Sequence, residues 1–161
     1  MEDDCMRIRL GISLRGGCCV GALLMALVPR LAGAALGEPE SSIAGDVQQL
    51  KGSIKSTDRS NYRVHEIRLP SGTVLREFAA VGGNVFAVTW SGPAIPDLRQ
   101  ALGRYFDVYV TAARAKQGNR RHLQIEQSEF VMQSSGHMRA FSGRAYLPQA
   151  LPAGISAEEI R

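Results

Sequence analysis

The sequence predicts an α+β fold, with an antiparallel sheet packed against one long amphipathic helix and a short N-terminal helix before it. Three patterns predict this. From Tyr62 to Trp90, β-branched and aromatic residues alternate with polar ones and are broken at Pro70-Ser71-Gly72 and Gly82-Gly83, which reads as a three-strand meander over 62–90. After Pro96 and Asp97, the residues Leu98, Ala101, Leu102, Tyr105, Phe106, Tyr109, Ala112 and Ala113 recur at steps of three and four, giving the apolar stripe of a helix over Pro96 to Ala115. Two more strand-like segments, about Leu123 to Ser134 and Met138 to Leu147, supply two C-terminal strands over 123–147.

The chain opens with a processing pattern. Arg7, Arg9 and Arg15 precede the uncharged run Gly16 to Val28, then Pro29 and the small residues Ala32-Gly33-Ala34. A basic region, a short apolar core and an A-x-A site make residues 1–34 a secretory signal peptide, and the run is too short to span a bilayer as a helix. Met6-Arg7-Ile8-Arg9 suits such a start better than Met1-Glu2-Asp3-Asp4, which leaves Met1 or Met6 as the first residue. The expected location is the periplasm or the exterior, with no permanent membrane anchor.

Cleavage after Ala34 removes Cys5, Cys18 and Cys19, so the mature chain is free of cysteine and has neither disulfides nor thiolate chemistry. It also removes four of the 19 basic and three of the 15 acidic residues, leaving fifteen against twelve. With Arg120-Arg121 the only adjacent basic pair left, no nucleic-acid footprint is expected. The remainder suits a single domain over 35–147, followed by an extended or mobile tail over 148–161. At its start, Ile43, Val47 and Leu50 mark a short helix that ends before Gly52.

Turn chemistry sets the expected registers. In both Leu69-Pro70-Ser71-Gly72-Thr73 and Ala80-Val81-Gly82-Gly83-Asn84 the fourth residue is a glycine that can close a type I turn with a bulge. In the first hairpin Glu66 then faces Arg76 and His65 faces Glu77, as structural charge pairs. In the second, Phe78 faces Phe86, Arg76 faces Val88 and Val74 faces Trp90. One sheet face is thus expected to carry Val64, Phe78, Phe86, Val88 and Trp90 around Glu66 and Arg76.

Alternation sends His65 and Glu77 to one face and Glu66 and Arg76 to the other, so these four do not converge as a general acid and base. His65, His122 and His137 form an alternative metal cluster, although their spacing matches no ligand motif. Phe141-Ser142-Gly143-Arg144 lacks the glycine spacing of a nucleophile elbow, and Gly82-Gly83 precedes no helix that would cradle a phosphate.

The stretches ALGEPE, YRVHEIRLPSGTVLREF, VFAVTWSGPAIPDLRQALGRYF and GHMRAFSGRAYLP resemble a family of short exported proteobacterial proteins, domain-of-unknown-function family 2844. The resemblance covers the whole mature chain and is most specific at Trp90 to Leu98 and Gly136 to Tyr146. It implies export and a shared fold, and it brings no activity, cofactor or catalytic residue. The reading that follows is a non-enzymatic binding domain of the cell envelope, without a cofactor, that engages a protein, an envelope component or a small apolar ligand between helix and sheet. The competing reading is an envelope hydrolase using carboxylate or histidine-bound metal chemistry.

Overall fold

The computed structural model describes residues 36–116 and 122–160. The expected signal peptide lies outside them. A helical turn at Glu40–Ser42 leads into α1 (Ile43–Gln49), and four strands follow in sequence: β1 (Ser53–Asp58), β2 (Tyr62–Arg68), β3 (Val74–Ala80) and β4 (Val85–Gly92). Two short helices, α2 (Leu98–Leu102) and α3 (Phe106–Ala115), cross to β5 (His122–Glu126), β6 (Val131–His137) and β7 (Ala140–Tyr146). All seven strands form one antiparallel sheet in the order β1-β2-β3-β4-β7-β6-β5.

The expected sheet of a three-strand meander plus two strands is therefore incorrect. Strand β1 was missed because all six of its residues are exposed and only Ile54 among them is apolar, so an edge strand without a buried face carries no alternation. The segment expected as one strand over 123–134 is two strands, folded at Gln127, whose N–H donates to Phe130 O at 3.0 Å.

The single long helix is also corrected. Asp97 is the N-cap, its carboxylate accepting the N–H of Arg99 and Gln100, so helix begins at Leu98 rather than at Pro96. Gly103 takes φ +51, a positive value that suits glycine and stops α2 after five residues, and a 3-10 turn over Gly103–Tyr105 then leads into α3 at Phe106.

The second hairpin departs from its expected register. Val85 pairs with Ala79, but Phe78 pairs with Ala87, so Phe86 is a bulge. Every later pair shifts by one, and Leu75 faces Trp90 while Arg76 faces Thr89. Val88 and Trp90 thereby join Ile67, Leu75, Ala79 and Val85 on the face covered by α1, α2 and α3. This is the main core. It closes on Ile43, Leu98, Ala101 and Leu102 from the helices, and each fully buried large side chain contributes roughly 1.5–3 kcal/mol.

The other face is only half covered. Past β7 the chain makes turns at Pro148–Ala150 and Ala157–Glu159 and packs Ile160 against Phe78, Phe86 and Ala87. Ile160 is 1% exposed. Among the described residues no helix is long and apolar enough to cross a membrane.

Candidate functional site

Side chains alternate along each strand, so register fixes what lines each row across the sheet. On the half-open face one row runs Glu66, Arg76, Thr89, Arg144, Gln133, Gln124, across β2, β3, β4, β7, β6 and β5. The row beside it carries Ser91, Ser142, Ser135 and His122 on β4, β7, β6 and β5. On the other side of the first row lie Val64, Phe78, Ala87 and Tyr146, the apolar strip that the C-terminal segment covers. The polar rows stay open and floor a recess of about 620 Å³. From β3 to β5 the recess spans about 19 Å, four inter-strand spacings.

The two arginines of this floor differ. Arg76 Nε donates to Glu66 Oε2 at 3.0 Å, and Arg68 Nη2 donates to the other oxygen at 2.8 Å, so Arg76 is paired to a carboxylate that it shares with Arg68. Arg144 donates from Nε to Gln133 Oε1 at 3.1 Å and from Nη1 to the Ala157 carbonyl at 2.6 Å. Among the described residues no carboxylate pairs with it. A guanidinium has five N–H donors, so three remain for a ligand. Beside it, Thr89 Oγ1 is buried without a hydrogen-bond partner, and Ser135 and Ser142 share a hydrogen bond at 3.2 Å. Such a surface can hold an anion and several hydroxyls at once.

Of the residues singled out from sequence, Arg76 and His122 line this recess. His65 and Glu77 sit on the helix-covered side of β2 and β3. They are register partners, yet the His65 ring turns to Ser56 and Glu40, and neither Glu77 oxygen has a hydrogen bond. Burial pushes the Glu77 carboxyl well above the usual carboxylate range, and the nearby Asp46 adds to the shift. Asp46 itself accepts Gln100 Nε2 at 2.9 Å.

The three histidines do not meet. His65 is on β2, while His122 is on β5, with β3, β4, β7 and β6 between, and His137 is on β6, with three strands between, and both present the opposite face. Among the described residues no group of three or more His, Cys, Asp or Glu is placed to hold a metal ion.

Thr89 and Gln133 were not singled out from sequence, and Arg144 was named only in the stretch rejected as a nucleophile elbow. Each is a polar residue at an alternate strand position, which is visible in the sequence, but their alignment depends on β7 inserting beside β4. A smaller recess of about 330 Å³ lies between α3 and the sheet, walled by Trp90, Leu98, Tyr109, Ala113, Leu123 and Phe141.

A family model described as "Protein of unknown function (DUF2844)" matches residues 32–160. No curated protein and no solved structure matches the chain.

Proposed function

Because the chain belongs to the DUF2844 family, whose description assigns no activity, its role has to come from its own geometry, and we propose that it is an exported binding domain of the cell envelope whose open sheet face takes an acidic, hydroxyl-rich ligand. Arg144 carries this reading. It is a guanidinium fixed by two neutral acceptors, left without a carboxylate from the described residues, in the middle of a row of amides and hydroxyls. A ligand carboxylate can take its remaining donors as a bidentate pair. Sugar hydroxyls then match Ser91, Ser135, Ser142 and Gln124.

An oligosaccharide containing uronic acid has this chemistry, and a recess about 19 Å long suits an oligomer better than a single sugar. Export is supported by the basic start, the apolar run Gly16 to Val28 and the Ala32-Gly33-Ala34 site, after which mature protein begins at Ala35. Intact-mass measurement of protein recovered outside the cytoplasm tests that part, and a species retaining Cys18 and Cys19 contradicts it. For the ligand, calorimetric titration with trigalacturonic acid is compared with neutral maltotriose. Saturable binding of the acidic sugar, about tenfold or more tighter than the neutral one, is expected. Equal responses to the two, or none to either, contradict the proposal.

A further inference from the structure

On the helix-covered face, at the far edge of the sheet from Arg144, three polar side chains form a chain. Ser56 Oγ and His65 Nδ1 are 2.8 Å apart, and His65 Nε2 and Glu40 Oε1 are 2.9 Å apart. Glu40 also accepts Arg63 Nη1 at 2.8 Å. A carboxylate bound to a guanidinium is an acceptor only, so in the neutral imidazole Nε2 must carry the proton. Nδ1 is then the lone-pair nitrogen, and the Ser56 hydroxyl must donate to it. Hydroxyl, base and orienting carboxylate stand in the relation that activates a serine, with the two ring nitrogens exchanged relative to the usual arrangement.

Strand phase supports the same centre. Arg59 N–H donates to Tyr62 O at 2.8 Å, and the register runs unbroken from Asp58–Arg63 to Ser53–Arg68. Hydrogen-bonded and non-bonded pairs alternate back from that turn, which puts Ser56 and His65 in a non-bonded pair, where side chains approach most closely. The Ser56 N–H then points away from β2, toward the free edge of the sheet, where it can donate to an oxygen that becomes negative. His65 is 7% exposed, whereas Ser56 is open to solvent. Ser56, His65 and Glu40 all line one groove of about 600 Å³, whose apolar wall is Ile43, Ala44, Val47 and Ile54.

We propose that Ser56 is a nucleophile and that this groove hydrolyses esters of short apolar acyl groups. Ser56 Oγ attacks the ester carbonyl carbon while its proton passes to His65 Nδ1, and Glu40 holds the imidazolium that results. The carbon–oxygen bond of the ester breaks, and the departing alkoxide takes the proton from Nδ1. Water then adds to the carbonyl carbon of the acyl-serine and gives a proton to His65 Nδ1; the acyl carbon–Oγ bond breaks, Ser56 Oγ takes that proton back from Nδ1, and the carboxylic acid leaves. Ser56 and His65 are the catalytic residues, and Glu40 is a positioning residue.

The test uses the mature chain with p-nitrophenyl butyrate and, separately, a fluorophosphonate probe located by peptide mass spectrometry. Wild type should hydrolyse the ester and carry the label on Ser56. Ser56→Ala should lose both while keeping its thermal midpoint. Glu40→Gln should lower kcat by about 100-fold and shift its pH profile, with KM little changed. The proposal is overturned if folded wild type neither turns over the ester faster than Ser56→Ala nor takes the label on Ser56.

Discussion

Arg76 donates to Glu66 across β2 and β3 at 3.0 Å, and Arg68 holds the second oxygen of the same carboxylate. Neither partner is deeply buried, since the Glu66 and Arg76 side chains are 21% and 33% exposed. Arg76→Ala leaves Glu66 with Arg68 and with water. Its cost should be about 0.5–1 kcal/mol, above that of Arg114→Ala on the exposed side of α3. Combining Glu66→Ala with Arg76→Ala should cost less than the sum of the two singles. Urea denaturation of the four variants checks both statements, and strict additivity would contradict the pairing.

Glu77 should make stability depend on pH. Its folded carboxyl is shifted well above its ordinary value of 4.5, by burial first and by Asp46 second. The native state therefore keeps a proton that the unfolded chain releases. Stability should fall as pH rises from the ordinary value toward the raised one, by up to about 1.4 kcal/mol per pH unit, and level off beyond it. Glu77→Gln, which mimics the protonated side chain, should flatten that slope. Superimposable pH profiles for wild type and Glu77→Gln would show that the carboxyl does not titrate as its burial requires.

Gly143 should not tolerate a methyl group. The chain's one tryptophan, Trp90, lies 3% exposed with its six-membered ring on the Gly143 backbone, and a Cβ there would overlap ring carbons. Gly143→Ala should cost about 1–3 kcal/mol through forced repacking. Fluorescence reads the same event, because a displaced Trp90 meets more water and its emission moves to longer wavelength. Unchanged stability and emission would mean that the indole has room to move.

The local part of this fold was legible in the sequence, and the long-range part was not. Alternation from Tyr62 to Trp90 marks strands because their residues face a core, whereas Ser53 to Asp58 faces water throughout and reads as loop. The Phe86 bulge was hidden because Val85 and Phe86 are both apolar and both buried, so no polar residue reports the change of face. The break between β5 and β6 falls at Gln127-Ser128-Glu129, without a glycine or proline to mark it. Arg144 shows as one polar residue of a strand, but nothing local says that β4 will lie beside it. Likewise, Ser56 and Glu40 reach His65 only through β1 and the chain before α1, outside the charged stretch around His65.

The most direct test of the proposed binding site removes the charge that defines it. Trigalacturonic acid is titrated into wild type, Arg144→Lys and Arg144→Gln, with the thermal midpoint of each recorded. A charge-assisted hydrogen bond contributes about 1.5–3 kcal/mol, so Arg144→Gln should bind at least about tenfold more weakly, with Arg144→Lys between it and wild type. Undiminished affinity in folded Arg144→Gln would contradict the assignment of the recess.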